Sequence, residues 1–176
     1  GAVAPGMRQR AADLAGACGS VTNTGYALHA AQFYAAMYAA APFETNVETV
    51  VAKGLEVVPV SSRSHEVIQN VVNWYQADKA DDVLNWRSTQ EKIYDNYVDA
   101  AGSHNRYLGW VESTVNLAMT TMAILYGQGE LDPTVEIAIN GGFDSDCNPA
   151  TAAGLVGLMK GYSGLPTSVT SAASNT

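Results

Sequence analysis

Apolar residues recur every three to four positions along most of this chain, and the breaks between the runs fall at glycine and proline. The first run, QRAADLAGACG, closes at Gly19. The second, GYALHAAQFYAAMYAAAP, is dense in alanine, sets Phe33, Met37 and Ala41 (or Tyr34 and Tyr38) four apart, and stops at Pro42. ETNVETVVAKGLEVV puts Val47, Val50, Val51 and Leu55 on one face, tolerates Gly54 at a cost, and ends at Pro59. SSRSHEVIQNVVNWYQ opens on serine caps and carries Val67, Ile68, Val71, Val72 and Tyr75 in helical register. WRSTQEKIYDNYVDA repeats the pattern through Ile93, Tyr94, Tyr97 and Val98. VNLAMTTMAILYG reads as a buried helix ending at Gly127, and PTVEIAI begins with a first-turn proline. NPATAAGLVGLMKG places Asn148 at a cap and Pro149 at the first helical position.

These spacings predict an all-α protein, because no stretch alternates apolar and polar residues as a half-buried strand does. The segments share no fixed repeat length, which disfavours a solenoid. Residues 1–166 read as one folded unit. The remainder, TSVTSAASNT at 167–176, is low in complexity and is expected to be a flexible tail that frays.

Composition narrows the partners. The 176 residues are 47% hydrophobic and 15% charged, a balance that buries a core and excludes a disordered chain. Nine Lys plus Arg against seventeen Asp plus Glu give a net charge of -8. Phosphate-backbone binding runs on clustered basic residues, so no nucleic-acid partner is expected. No membrane span is expected either: the most apolar stretch, residues 25–43, is mostly Ala and Tyr and is interrupted by His29 and Gln32. The start, GAVAPGMRQR, has no apolar leader core and does not begin with Met, so the chain is expected to be processed or part of a longer one. With a pI near 4.6 and little lysine, the composition leans towards a secreted rather than a cytoplasmic protein. Cys18 and Cys147 are too few for a disulfide scaffold or a cysteine-based zinc site, and whether they pair is open.

The chemistry is concentrated in NGGFDSDCNP, residues 140–149. Two glycines permit a backbone path closed to other residues, and the loop then enters a helix. Asp144 and Asp146, two apart in a non-helical turn, can aim oxygens at one point, as hard divalent cations require. Alternatively, Asp146 or Asn148 caps the helix and Asp144 is solvated. An EF-hand does not fit: with Asp144 first, the sixth position is Pro149 instead of Gly and the twelfth is Leu155 instead of Glu.

The string GGFDSDCNPATAAGLVGLMKG resembles the C-terminal metal motif of the ADP-ribosylglycohydrolase family, in the branch reading Gly-Trp-Asp-Thr-Asp-Cys-Asn. GSVTNTGYALHAAQFYAAMYAAAPFE is similar to the family's Ser/Thr-His loop and the Ala-rich helix after it. GLEVVPVSSRSHEVIQNVVNWY is similar to the next segment, and STVNLAMTTMAILYGQGELD to the helix and turn before the metal loop. The similarity runs in order from about residue 11 to 166. It implies an all-α ADP-ribosylglycohydrolase-like helical bundle, of which this chain is the C-terminal portion. It also implies a two-ion Mg2+ site, with Ca2+ or Mn2+ as alternatives. The implied reaction is hydrolysis of an N- or O-glycosidic bond in an ADP-ribosyl adduct or a simpler glycoside, so the ligand is a sugar or of ADP-ribose type.

By position in the motif, the resemblance makes Asp144 and Asp146 metal ligands. Cys147 stands where many members have a ligating Thr or Ser, and a thiol is a poor magnesium ligand. Ser145 shapes the turn. Three departures follow. The family's N-terminal Thr-Asp-Asp motif and upstream Glu do not occur here, so an N-terminal half, as a separate or cleaved chain, is the expected partner. Thr22-Asn23 replaces the Ser/Thr-His pair. Glu112 stands four before Asn116 where the branch often has His. Glu112 is therefore the candidate acid or base, with a solvated helix-start acid as the bland alternative. Asn23, His104, Tyr107 and Trp110 are candidate substrate contacts. His29 reads as a core or interface residue and His65 as a surface one. A non-catalytic, crystallin-like or binding relative of the same fold is the alternative function.

Overall fold

The computed structural model describes residues 1–98, 109 and 111–173, and among them the secondary structure is helix without strand. In chain order the helices are α1 (Arg8–Gly19), α2 (Tyr26–Ala40), α3 (Val47–Leu55), α4 (Arg63–Ala80), α5 (Trp86–Tyr97), α6 (Ser113–Tyr126), α7 (Leu131–Asn140), α8 (Cys147–Lys160) and α9 (Thr167–Ala173). The all-α expectation holds. No helix among the described residues is long and apolar enough to cross a membrane.

Helix α6 is the axis of the bundle. Its sequence is apolar or small nearly all round, which is the pattern of a helix buried on every side. Residues 114–126 are all buried except Asn116. Around it pack α2, α3, α4, α5, α7 and α8. The core joins Phe33 and Met37 of α2, Val50 of α3, Val67, Ile68 and Val71 of α4, Ile93 of α5, and Leu117 and Ile124 of α6. The hydroxyl of Tyr126 donates to Asp78 Oδ2 at 2.7 Å and lies 2.7 Å from Thr89 Oγ1, so one phenol ties α6 to both α4 and α5.

The alanines of α2 serve a second contact. Ala35 and Ala39 pack with Ala4 and Ala11 in a small separate cluster, where short side chains let α1 lie close. Gly54 is likewise a site of close approach, not only a tolerated cost. A Cβ there would come within 2.5 Å of Met37 Cγ and 2.9 Å of Phe33, so α3 reaches α2 only because that atom is missing.

Side-chain caps start several helices as the sequence suggests. Asn46 Oδ1 accepts from Glu48 and Thr49, and Ser62 Oγ accepts from the His65 N–H at 3.1 Å. Two local expectations change, at Tyr94 and at the start of α8. Tyr94, placed on the inner face of α5 by its spacing, is 47% exposed. The stretch after Pro166 is helical from Thr167 to Ala173, its first turn closed by Val169 and Thr170 N–H bonds to the Pro166 carbonyl. Val169, an exposed side chain, lines a surface groove together with Leu131, Val135, Ile139 and Ala153. Helix α8 begins at Cys147, so Asn148 lies inside its first turn and is buried instead of capping it. Pro149 is accommodated there because the first N–H groups of a helix have no intrahelical partner.

Candidate active site

The acidic loop, residues 141–146, joins α7 to α8 and is held from three sides. Gly142 (φ +83°) and Phe143 (φ +60°) are consecutive left-handed residues. That conformation suits Gly142 but strains a phenylalanine, which persists because its ring is partly buried against the core. Gln90 of α5 donates Nε2 to the carbonyls of Asn140 (3.1 Å) and Gly141 (3.0 Å), where α7 ends. Ser145 Oγ donates to the Ile139 carbonyl at 3.2 Å. From α6, Asn116 Oδ1 accepts the backbone N–H of Asp144 at 3.1 Å.

This anchoring decides what the two aspartates do. Asp144 is half-buried; its Oδ1 accepts the Cys147 N–H at 3.3 Å, and its carbonyl accepts the Asn148 N–H at 3.1 Å. Asp146 stands at the N-cap position of α8, yet its side chain makes no capping hydrogen bond. The cap predicted for Asp146 or Asn148 therefore falls to Asp144, and the exposed carboxylate of Asp146 remains available.

Among the described residues, Asp144, Asp146 and Cys147 form a group whose potential ligand atoms all lie within 4.8 Å of one another. Asp146 is held below the ordinary carboxylate range, first by hydrogen bonding to Asp144 and then by the backbone N–H groups of Cys147 and of Asp146 itself. The Cys147 thiol is pushed up, first by its hydrogen bond to Asp144 and then by the charges of Asp144 and Asp146. A thiol raised in this way stays protonated at neutral pH and acts as a donor to Asp144. The donor set thus fits a hard divalent cation through two carboxylates, with the sulfur outside the ligand shell. Such an ion takes about six or more oxygens, so two carboxylates make one edge of a site.

The other predicted residues are spread out. Glu112 is 5% exposed and caps α6: Oε1 accepts from Thr114 Oγ1 at 2.7 Å and Oε2 from the Val115 N–H at 3.1 Å. It is a helix-start acid, but a buried one, where the sequence suggested a solvated group. Its backbone carbonyl, which accepts from Asn116 Nδ2 at 3.0 Å, links it to the loop. Asn23 is exposed between α1 and α2 and donates to Thr22 Oγ1 at 3.0 Å. His104, Tyr107 and Trp110 lie outside the described residues. His29 and His65 are both half-buried and belong to no described metal group. Cys18 and Cys147 are exposed, free thiols.

The family model described as ADP-ribosylglycohydrolase matches residues 1–175. The chain belongs to the ADP-ribosylglycohydrolase family. No curated protein and no solved structure matches it. Membership accounts for the all-α bundle and places the chain among glycosidases of the ADP-ribosylglycohydrolase type, a family that is generally metal-dependent.

Within this family fold, sequence reasoning missed the residues that hold the metal-motif loop. Asn116 was read only as a family marker and Gln90 not at all. One signal was present for Asn116. It is followed four residues later by Thr120, so two polar side chains share a stripe on a helix that is otherwise apolar.

Proposed function

We propose that this member of the ADP-ribosylglycohydrolase family is a glycoside hydrolase whose cation-binding edge is the Asp144–Asp146 pair. Mg2+ is the expected ion, with Ca2+ or Mn2+ as alternatives. The supporting observation is the pair itself: two carboxylates on one anchored turn, the outer one exposed and making no capping hydrogen bond to α8. Asp144, fixed through its backbone, supplies a pre-set oxygen, and Asp146 supplies an exposed one. Further carboxylates come from a segment or chain carrying the family's acidic motif, which completes a two-ion site. A bound divalent cation supplies polarisation of an oxygen and activation of water. The substrate class is an N- or O-glycosidic bond of an ADP-ribosyl adduct or a simpler glycoside.

The test is Mg2+ titration by calorimetry, together with hydrolysis assays on ADP-ribosyl-arginine, ADP-ribosyl-serine and aryl glycosides. Asp144→Ala should lose metal affinity and turnover together. Unchanged affinity and turnover in that variant would end this reading. One observation favours a non-catalytic, crystallin-like or binding role instead: both oxygens of Glu112, the local candidate for acid or base, are committed to the start of α6. Mg2+ binding without hydrolysis of any of these substrates, with the acidic-motif segment present, would select that role.

A further inference from the structure

A buried polar path runs inward from the acidic loop. Asn148 Nδ2 donates to Asn116 Oδ1 at 2.9 Å, and Thr120 Oγ1 donates to Asn148 Oδ1 at 3.0 Å. Asn148 is 5% exposed and Thr120 1%, so water does not substitute for these partners.

The side-chain amides on this path have one consistent orientation, because Asn116, at its outer end, bonds two backbone groups with fixed roles. The Asp144 N–H can only donate, so Asn116 must turn Oδ1 towards it. The Glu112 carbonyl can only accept, which places Asn116 Nδ2 on the other side. Asn148 must then offer Nδ2 to Asn116, leaving its Oδ1 for a donor, and Thr120 supplies that proton. Without the Thr120 hydroxyl, Asn148 Oδ1 becomes a buried acceptor with no donor among the described residues, and the hold of its Nδ2 on Asn116 Oδ1 is weakened. A flipped Asn148 would set oxygen against Asn116 Oδ1. A flipped Asn116 would set N–H against the Asp144 N–H.

We infer that Thr120 and Asn148 are positioning residues for the cation site. Through the Asn148 Nδ2 bond to Asn116 Oδ1 they reinforce the grip of Asn116 on the Asp144 backbone and thereby the position of the Asp144 carboxylate, without contact with ion or substrate. A purely apolar α6 would pack as well with valine at position 120. The hydroxyl is explained by the path it ends, and the path leads to Asp144. The inference rests on the reading of Asp144 and Asp146 as cation ligands.

The test measures Mg2+ affinity of the whole chain by isothermal titration calorimetry for wild type, Thr120→Val, Thr120→Ala and Thr120→Ser, with thermal midpoints recorded without metal. Removing an outer-shell partner should weaken Mg2+ binding by roughly 10- to 100-fold in the valine variant, which keeps the side-chain shape. Serine, which restores the hydroxyl, should return affinity towards wild type although it loses a buried methyl. Exchange of the Asp144 amide hydrogen in metal-free protein should be faster in valine than in serine. If valine does not fold, alanine takes its place in both comparisons. Wild-type affinity in the valine or alanine variant, with Mg2+ bound by wild type, overturns the inference and leaves the ligand reading intact. A wild type that does not bind Mg2+ even with the acidic-motif segment present overturns both.

Discussion

The backbone N–H of Asp144 and the side-chain oxygen of Asn116, 28 residues apart in sequence, are joined at 3.1 Å. The acidic loop is thus oriented from the central helix of the bundle and not from its own sequence alone. Asn116→Ala leaves the Asp144 N–H and the Asn148 amide without their acceptor at the edge of the core. The expected loss is at least about 1–3 kcal/mol of unfolding free energy, the cost of leaving a buried polar group unpaired. Guanidinium titration checks it; a change near zero would mean that water replaces the asparagine.

Glu112→Gln separates capping from catalysis. The amide can keep both bonds, its oxygen accepting the Val115 N–H and its N–H donating to the Thr114 hydroxyl, so α6 loses a negative charge at its start and not a bond. Stability should fall by about 0.3–1 kcal/mol, the usual value of such a charge at a helix N-terminus. Mg2+ affinity should not change, since Glu112 reaches the loop only through its backbone carbonyl. A parallel loss of metal affinity would place its carboxylate in the site.

Gly54→Ala should destabilise in spite of alanine's better helix propensity, which is worth about 1 kcal/mol. The added carbon meets Met37 Cγ at 2.5 Å and Phe33 at 2.9 Å in a packed core. Overpacking of this kind costs about 1–3 kcal/mol, so the net effect is a lower thermal midpoint. A raised midpoint would show that α2 and α3 can separate freely.

Acid should weaken the link between α3 and α4. Glu48 is held below its ordinary value of 4.5, chiefly by its hydrogen bond with Lys79 and also by one from Gln76. With the folded value depressed, the unfolded chain takes up the proton first as pH falls. The stabilisation is therefore complete above about pH 5 and is lost as pH drops through the folded value. Unfolding curves from pH 6 to pH 3 should show Glu48→Gln with a shallower acid slope than wild type, and identical slopes would remove Glu48 from the account.

Periodicity alone located eight of the described helices, because their apolar faces repeat at helical spacing and glycine or proline marks the ends. The ninth, a short polar helix after Pro166, lacks a repeating apolar face. Asp144 and Asp146 were legible because their chemistry and spacing are local. Asn116, Thr120 and Gln90 were not, since a polar residue in an apolar run looks solvent-facing until its partner from another helix is known. The start of α8 was misplaced by two residues for a related reason: Pro149 suits several first-turn positions equally well. Gly54 read only as a local weakness because no pattern within one helix reports how near the next helix stands.

The burial of α6 on nearly every face has a consequence for cooperativity. Six neighbouring helices share that one surface, so any of them that detaches exposes part of α6 to water. Partial opening therefore carries much of the cost of complete unfolding, and the bundle between α2 and α8 should melt as a single unit. Helix α1, which rests on α2 through small alanines, is outside that arrangement and can fray first.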